Sequence, residues 1–199
     1  MQRVMLYFGS FNPIHRGHIG LAEHVLDAGL CDLVTLVVSP QSPYKRDADL
    51  APELDRFEMA ELACAASRHP ERIKPSIVEL LLPKPSYTIN TLRYLEAQCG
   101  DRMQFSILMG GDQLAGLTGW REAEAVLRYP IWVYPRRGQA ETLPAGNIRL
   151  LENAPLFDLS ATAVRQAVAA GEPTAGMLDP QVAEYIRQKG LYRAERPAN

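Results

Sequence analysis

The chain has 199 residues and a mass of 22.1 kDa, room for one ordinary domain that buries roughly 70% of its unfolded surface without disulfide or metal staples. It is 47% hydrophobic and 22% charged with a net charge of −2, which excludes disordered and collagen-like classes and offers no footprint for duplex nucleic acid or an anionic membrane. No apolar run reaches the ~20 residues of a membrane span, and the N-terminus lacks a signal peptide's layout. Three scattered cysteines, Cys31, Cys64 and Cys99, argue against a secreted disulfide framework and read as buried, inert thiols. A cytoplasmic protein of one domain is expected.

Val4–Phe8 is a short apolar run stopped by Gly9, the pattern of a buried strand. From His18 to Leu26, Ile19, Ala22, Val25 and Leu26 recur at helical spacing, and Gly29 supplies a stop. Leu33–Val38 is a second strand, ended by Ser39-Pro40. Pro52 opens a helix on which Leu54, Phe57, Leu62 and Ala65 predict the inward side. Ile73–Leu82 includes a third strand, and Thr88–Ala97 is a helix with Ile89, Leu92 and Leu95 on one stripe. Phe105–Met109 is a strand meeting a Gly-Gly pair, followed by helical material from Asp112 to Arg128. Ile131–Tyr134 and Ile148–Leu151 complete the strands, Gly138–Gly146 reads as a loop between them, and Ser160–Ala170 and Pro180–Lys189 are closing helices. Strand and helix alternate throughout, which predicts a doubly wound parallel sheet with helices on both faces. The expected organisation is a single domain, 1–199, with a core over 1–152 and a short C-terminal helical part over 153–193.

In such a sheet, ligands bind at the carboxyl ends of the strands. The loop after the first strand reads Gly9-Ser10-Phe11-Asn12-Pro13-Ile14-His15-Arg16-Gly17-His18. Small residues after a strand let main-chain N–H groups approach a phosphate, and a helix start adds partial positive charge. His15 and His18, three apart, can face one side, and Gly17 between them leaves room for a ligand. A pair of zinc ligands is the competing reading, but no further Cys, His or acidic cluster stands nearby with ligand spacing. His24 and His69 carry no expected role. There is no CxxC, HExxH or Walker-type loop. Near the C-terminus, Asp158-Leu159-Ser160-Ala161-Thr162-Ala163-Val164-Arg165 offers Ser160 as an N-cap, Thr162 in the first turn and Arg165 as a forked cation. The same segment also reads as an ordinary capped helix with a surface arginine.

Gly9 to His18 resembles the GxFDPxHxGH signature of the HxGH nucleotidyltransferase superfamily, with Asn12 where Asp is usual. Class I aminoacyl-tRNA synthetases share the His-x-Gly-His element, but the chain has neither their length nor their Lys-Met-Ser-Lys-Ser loop. The segment at Ser160–Arg165 resembles the ISSTxxR motif of the superfamily's adenylyltransferases, with Ala161 in place of the second serine. Pro85-Ser86-Tyr87-Thr88 with Thr91-Leu92, Met109-Gly110-Gly111-Asp112 with Trp120, and Leu178 through Tyr185-Ile186 to Gly190-Leu191-Tyr192 are similar to motifs of the bacterial nicotinate mononucleotide adenylyltransferases. The matches run in order from residue 4 to 193.

The resemblance implies a Rossmann-like fold and adenylyl transfer from ATP to nicotinate mononucleotide, with Mg2+ arriving on the ATP. It implies that His15, His18 and Arg165 are catalytic, and that Gly9, Ser10, Phe11, Ser160, Thr162 and Arg136 contact ATP. Lys45, Thr88, Asp112 and Trp120 would bind the mononucleotide, Trp120 by stacking on the pyridine and Asp112 through ribose hydroxyls; no resident metal site is implied. Each has a plain structural reading beside it: Trp120 as core, Asp112 as a helix cap, Lys45 with Arg46 as a solvated pair. Arg121 stands where some relatives have an aromatic residue. The competing functions are phosphopantetheine adenylyltransferase, a nicotinamide-mononucleotide adenylyltransferase, a cytidylyltransferase and, in another class, a non-catalytic nucleotide-binding module.

Overall fold

The computed structural model describes residues 1–40, 50–135 and 147–193. Its sheet is built from β1 (Gln2–Gly9), β2 (Leu33–Val38), β3 (Ile73–Ser76), β4 (Met103–Gly110), β5 (Ile131–Tyr134) and β6 (Ile148–Leu150). All pairings are parallel and the order is β3-β2-β1-β4-β5-β6. The helices are α1 (Arg16–Asp27), α2 (Glu53–Ala65), α3 (Thr88–Cys99), α4 (Ala123–Val126), α5 (Ala161–Ala170) and α6 (Pro180–Lys189).

The unbroken apolar runs of the strands follow from burial on both faces. Side chains alternate along a strand, so Met5 and Tyr7 of β1 enter one core while Val4 and Leu6 enter the other. The first core is closed by α1, α2, α5 and α6, through residues such as Val25, Met59, Val164 and Ile186. The second is closed by α3, α4 and a 3-10 stretch, Gly111–Gly119, through Leu92, Val126 and Leu117. The doubly wound sheet expected from the sequence is therefore the fold observed.

Two local expectations need correction. The inward face of α2 is Arg56, Met59, Ala60, Ala63 and Cys64, whereas Leu54 is 64% exposed. A hydropathy stripe misses this face because it contains an arginine. Residues 112–128 are not one helix: the 3-10 stretch ends at Trp120, and Glu122 adopts left-handed φ (51°) to start the single turn of α4. Cys31 and Cys64 are buried as expected, and burial pushes both thiols up to about 12, which leaves them unreactive.

Strand order reverses at β1, between β2 and β4. The two central strands end at Gly9 and Gly110, and the loops and helix starts around those ends enclose a crevice.

Candidate active site

The first loop is anchored from beneath. Phe11 is buried, packing edge-on against the rings of Tyr7 (5.7 Å) and His18 (5.1 Å). Its left-handed φ of 45° turns the chain. A side chain at Gly9 would run into the Phe11 ring at 3.0 Å, so this glycine serves loop packing. Phe11 itself has only its main chain to offer a ligand.

His15 and His18 meet on one side of the start of α1, their rings stacked at 3.7 Å. The His15 amide donates to His18 Nδ1 at 3.2 Å. An imidazole that accepts at Nδ1 carries its proton on Nε2, so His18 is a hydrogen-bond donor by virtue of its own loop. The room expected at Gly17 is taken by protein: a Cβ there would meet the His15 ring at 3.0 Å and Phe157 at 3.2 Å. Phe157 also lies against Gly20, where any side chain would collide with its ring. Small residues on α1 thus seat the segment that leads into α5.

That seating brings the C-terminal motif to the first loop. Ser160 caps α5, its Oγ accepting from the Ala163 amide at 3.1 Å. Arg165 Nη1 donates to the Asn12 carbonyl at 2.8 Å, across 153 residues, and its Nη2 reaches Thr162 Oγ1 at 3.4 Å. Asn12, 2% exposed, also accepts through Oδ1 from the Ala51 amide (3.0 Å) and the Tyr192 hydroxyl (2.7 Å). A carboxamide can take both bonds without placing a negative charge beside Arg165. Between these elements lies a cavity of about 310 Å³ lined by Tyr7, His15, His18, Tyr134, Asp158 and Ser160. The hydroxyls of Tyr7 and Tyr134 meet at 3.0 Å on its floor.

The other end of the crevice lies beyond β4. Asp112 is exposed, and its carboxylate folds back over Gly110, where a Cβ would strike it. Trp120 is half-buried against the second core. Arg121 lies over the Tyr87 ring at 4.9 Å, and Arg93 pairs with Glu122 at 3.0 and 2.6 Å. These contacts hold the 120–122 segment beside the start of α3, where Thr88 is the first helical residue. Lys45, Arg136 and the loop 138–146 lie outside the described residues.

Reading the residues alone missed Arg56, Tyr7, Tyr134 and Tyr192. An arginine on an otherwise apolar helix face is the one signal that could have flagged Arg56. Tyr7 and Tyr134 sit inside strand runs and look like core.

A doubly wound sheet with paired histidines at the first helix, and an arginine of α5 tied to the same loop at Asn12, defines a nucleotidyltransferase of the HxGH kind, and the chain matches the cytidylyltransferase-like family over residues 6–167. The chain belongs to that family. Within it, a Flavobacterium johnsoniae protein named "probable nicotinate-nucleotide adenylyltransferase" is 35% identical over 196 residues, covering 96% of this chain and 99% of that one. A Chromobacterium violaceum protein of the same name is 34% identical over 213 residues, with the same two coverages. Among solved structures, the Plasmodium falciparum nicotinic acid mononucleotide adenylyltransferase complexed with NaAD superposes with a TM-score of 0.81 at 16% identity, covering 96% of this chain and 98% of that one.

Proposed function

We propose that this nucleotidyltransferase transfers the adenylyl group of ATP to nicotinate mononucleotide, releasing pyrophosphate and forming nicotinate adenine dinucleotide. The observation that carries the reading is the tie of Arg165 to the loop that leads into the stacked His15–His18 pair, at one end of a crevice whose other end sets Trp120 beside the start of α3. The family and the named relatives support it.

The mononucleotide phosphate is already an anion at neutral pH, so it needs no general base. One of its oxygens attacks the α-phosphorus of ATP as the bond to the departing pyrophosphate breaks. Catalysis is then alignment and charge stabilisation. His18 Nε2–H donates to the reacting phosphate, His15 buttresses the His18 ring, and Arg165 faces the triphosphate while Asn12 steadies it. The main-chain amides of Gly9, Ser10 and Phe11 and the start of α5 at Ser160 and Thr162 cradle the phosphates. At the acceptor end, Asp112 takes ribose hydroxyls, Trp120 stacks on the pyridine, and the first turn of α3 at Thr88 receives the nicotinate carboxylate. The core supplies the acceptor end, and the part beyond residue 152 completes the phosphate end.

Among the described residues, no group of three His, Cys, Asp or Glu side chains is placed to hold a metal. Mg2+ would arrive on the triphosphate, keeping several waters and offsetting phosphate charge. No described helix is long and apolar enough to cross a membrane; the reaction proposed is a cytoplasmic one. The test is pyrophosphate release from ATP with a panel of acceptors: nicotinate mononucleotide, nicotinamide mononucleotide, phosphopantetheine and none. Release with the first alone supports the reading, and release with another acceptor replaces it.

A further inference from the structure

Among the described residues, an arginine and a glutamate are buried away from the surface ion pairs: Arg56, 0% exposed, and Glu79, 2% exposed, whose carboxyl burial pushes above the ordinary range. Neither belongs to the crevice wall. Removing such groups from water is costly, and apolar residues of similar size usually serve stability as well or better. Their partners show what they hold.

Among the described residues, Arg56 donates only to main-chain carbonyls, from three separate pieces of chain. Nη1 reaches Ser10 O (2.6 Å) in the first loop and Ser39 O (2.7 Å) at the end of β2. Nη2 reaches Pro40 O (3.1 Å), and Nε reaches Ala51 O (3.0 Å). Ala51 in turn donates its amide to Asn12. Glu79 accepts at 3.0 Å from the hydroxyl of Thr91, itself 1% exposed. Thr91 lies three residues beyond Thr88, so the two share a face of the first turn of α3.

We infer that Arg56 and Glu79 are two buried anchors that position the two ends of the crevice, Arg56 setting the phosphate loop and Glu79 setting the start of α3 through Thr91. The inference rests on the proposed function for which substrate occupies which end. These are positioning residues that do not touch substrate. Glu79 fixes the height and rotation of the helix start that would receive the nicotinate carboxylate. Arg56 fixes Ser10 and, through Ala51 and Asn12, the seat of Arg165.

The experiment is calorimetric binding of ATP and of nicotinate mononucleotide, separately, to wild type and to Glu79→Leu, Glu79→Gln, Thr91→Val and Arg56→Lys, with circular dichroism and melting of each. Glu79→Leu and Thr91→Val should weaken mononucleotide binding about tenfold, the worth of one buried hydrogen bond, and leave ATP within about twofold. Glu79→Gln keeps an acceptor for the Thr91 hydroxyl and should stay near wild type. Arg56→Lys should weaken ATP more than the mononucleotide; should that variant fail to fold, the other three still decide. Equal weakening of both ligands, or lower melting temperatures with unchanged affinities, would reduce the two anchors to structural supports and overturn the inference. A wild type that binds ATP but no pyridine mononucleotide would overturn both readings. Tight binding of both without pyrophosphate release would sink adenylyl transfer and leave the positioning standing.

Discussion

At the first loop nearly every group is buried and tied to a distant part of the chain, whereas around Trp120 the crevice is walled by half-exposed side chains held by surface contacts. Asn12 alone gathers Ala51, Arg165 and Tyr192. At the other end, the 120–122 segment stays beside α3 through Arg121 on Tyr87 and an exposed Arg93–Glu122 pair. The difference matches what each end has to do. Stabilising charge on a reacting phosphate requires donors fixed before the reaction begins. Choosing a substrate requires a rim that admits it, and on the proposed reading this rim receives a flat ring with fewer constraints. The phosphate end should therefore lose rate when altered, and the pyridine end should lose selectivity.

The largest effect is expected at His18. His18→Ala removes a donor whose proton position the loop itself dictates, and turnover should fall about a hundredfold or more while the melting temperature holds. A fall in stability with turnover per folded molecule preserved would place His18 with the structural residues. Arg165→Lys keeps the charge but loses the fork that reaches Asn12 and Thr162 together. Its catalytic efficiency for ATP should drop about tenfold, one charge-assisted hydrogen bond's worth, with saturation by the mononucleotide little altered. A change confined to the mononucleotide would break the assignment of α5 to the phosphate end. At the rim, Trp120→Ala should weaken nicotinate and nicotinamide mononucleotides alike by a few-fold, since stacking does not read the acid group, about 1 kcal/mol of aromatic contact. Unequal losses would mean that Trp120 reads the substituent.

The smallest effect lies outside both ends. Asp32 receives Arg3 at 2.7 Å on the surface, and that hydrogen bond holds its carboxyl below the ordinary 3.8. A depressed folded value stabilises above the unfolded one and is lost as pH falls through the folded one. Asp32→Asn should therefore melt slightly below wild type at neutral pH, and the gap should close as pH drops below about 3.8. A gap that persists in acid would mean that packing, and not charge, is what Asn disturbs.

How much of this could be read from the chain follows the same division. The alternation of apolar runs and helical stripes is local, so the doubly wound sheet was legible, as was the His15–His18 pair three residues apart on one turn. Ser160 was legible as a cap because capping spans three residues. The partnership of Arg165 with Asn12 was not, since it closes over 153 residues and depends on Phe157 finding Gly17 and Gly20. Arg56 was not legible because hydropathy places arginine outside, whereas here it makes four hydrogen bonds to carbonyls that would otherwise be buried without partners. The stretch after Asp112 was expected as one helix. Gly116 and Gly119 lower helix propensity there, and the chain forms 3-10 turns and then a left-handed step at Glu122.

The central claim is that this crevice joins an adenylyl group to the acid form of a pyridine mononucleotide. Side-by-side measurement of kcat/KM for nicotinate and nicotinamide mononucleotides at saturating ATP tests it most directly. The main-chain donors at the start of α3 suit a carboxylate, and an amide would turn an NH2 group toward them and leave at least one bond unmade. A preference of about a hundredfold or more for nicotinate mononucleotide is predicted, narrowed in Thr88→Ala. Equal efficiencies in the wild-type protein would contradict the choice of acceptor.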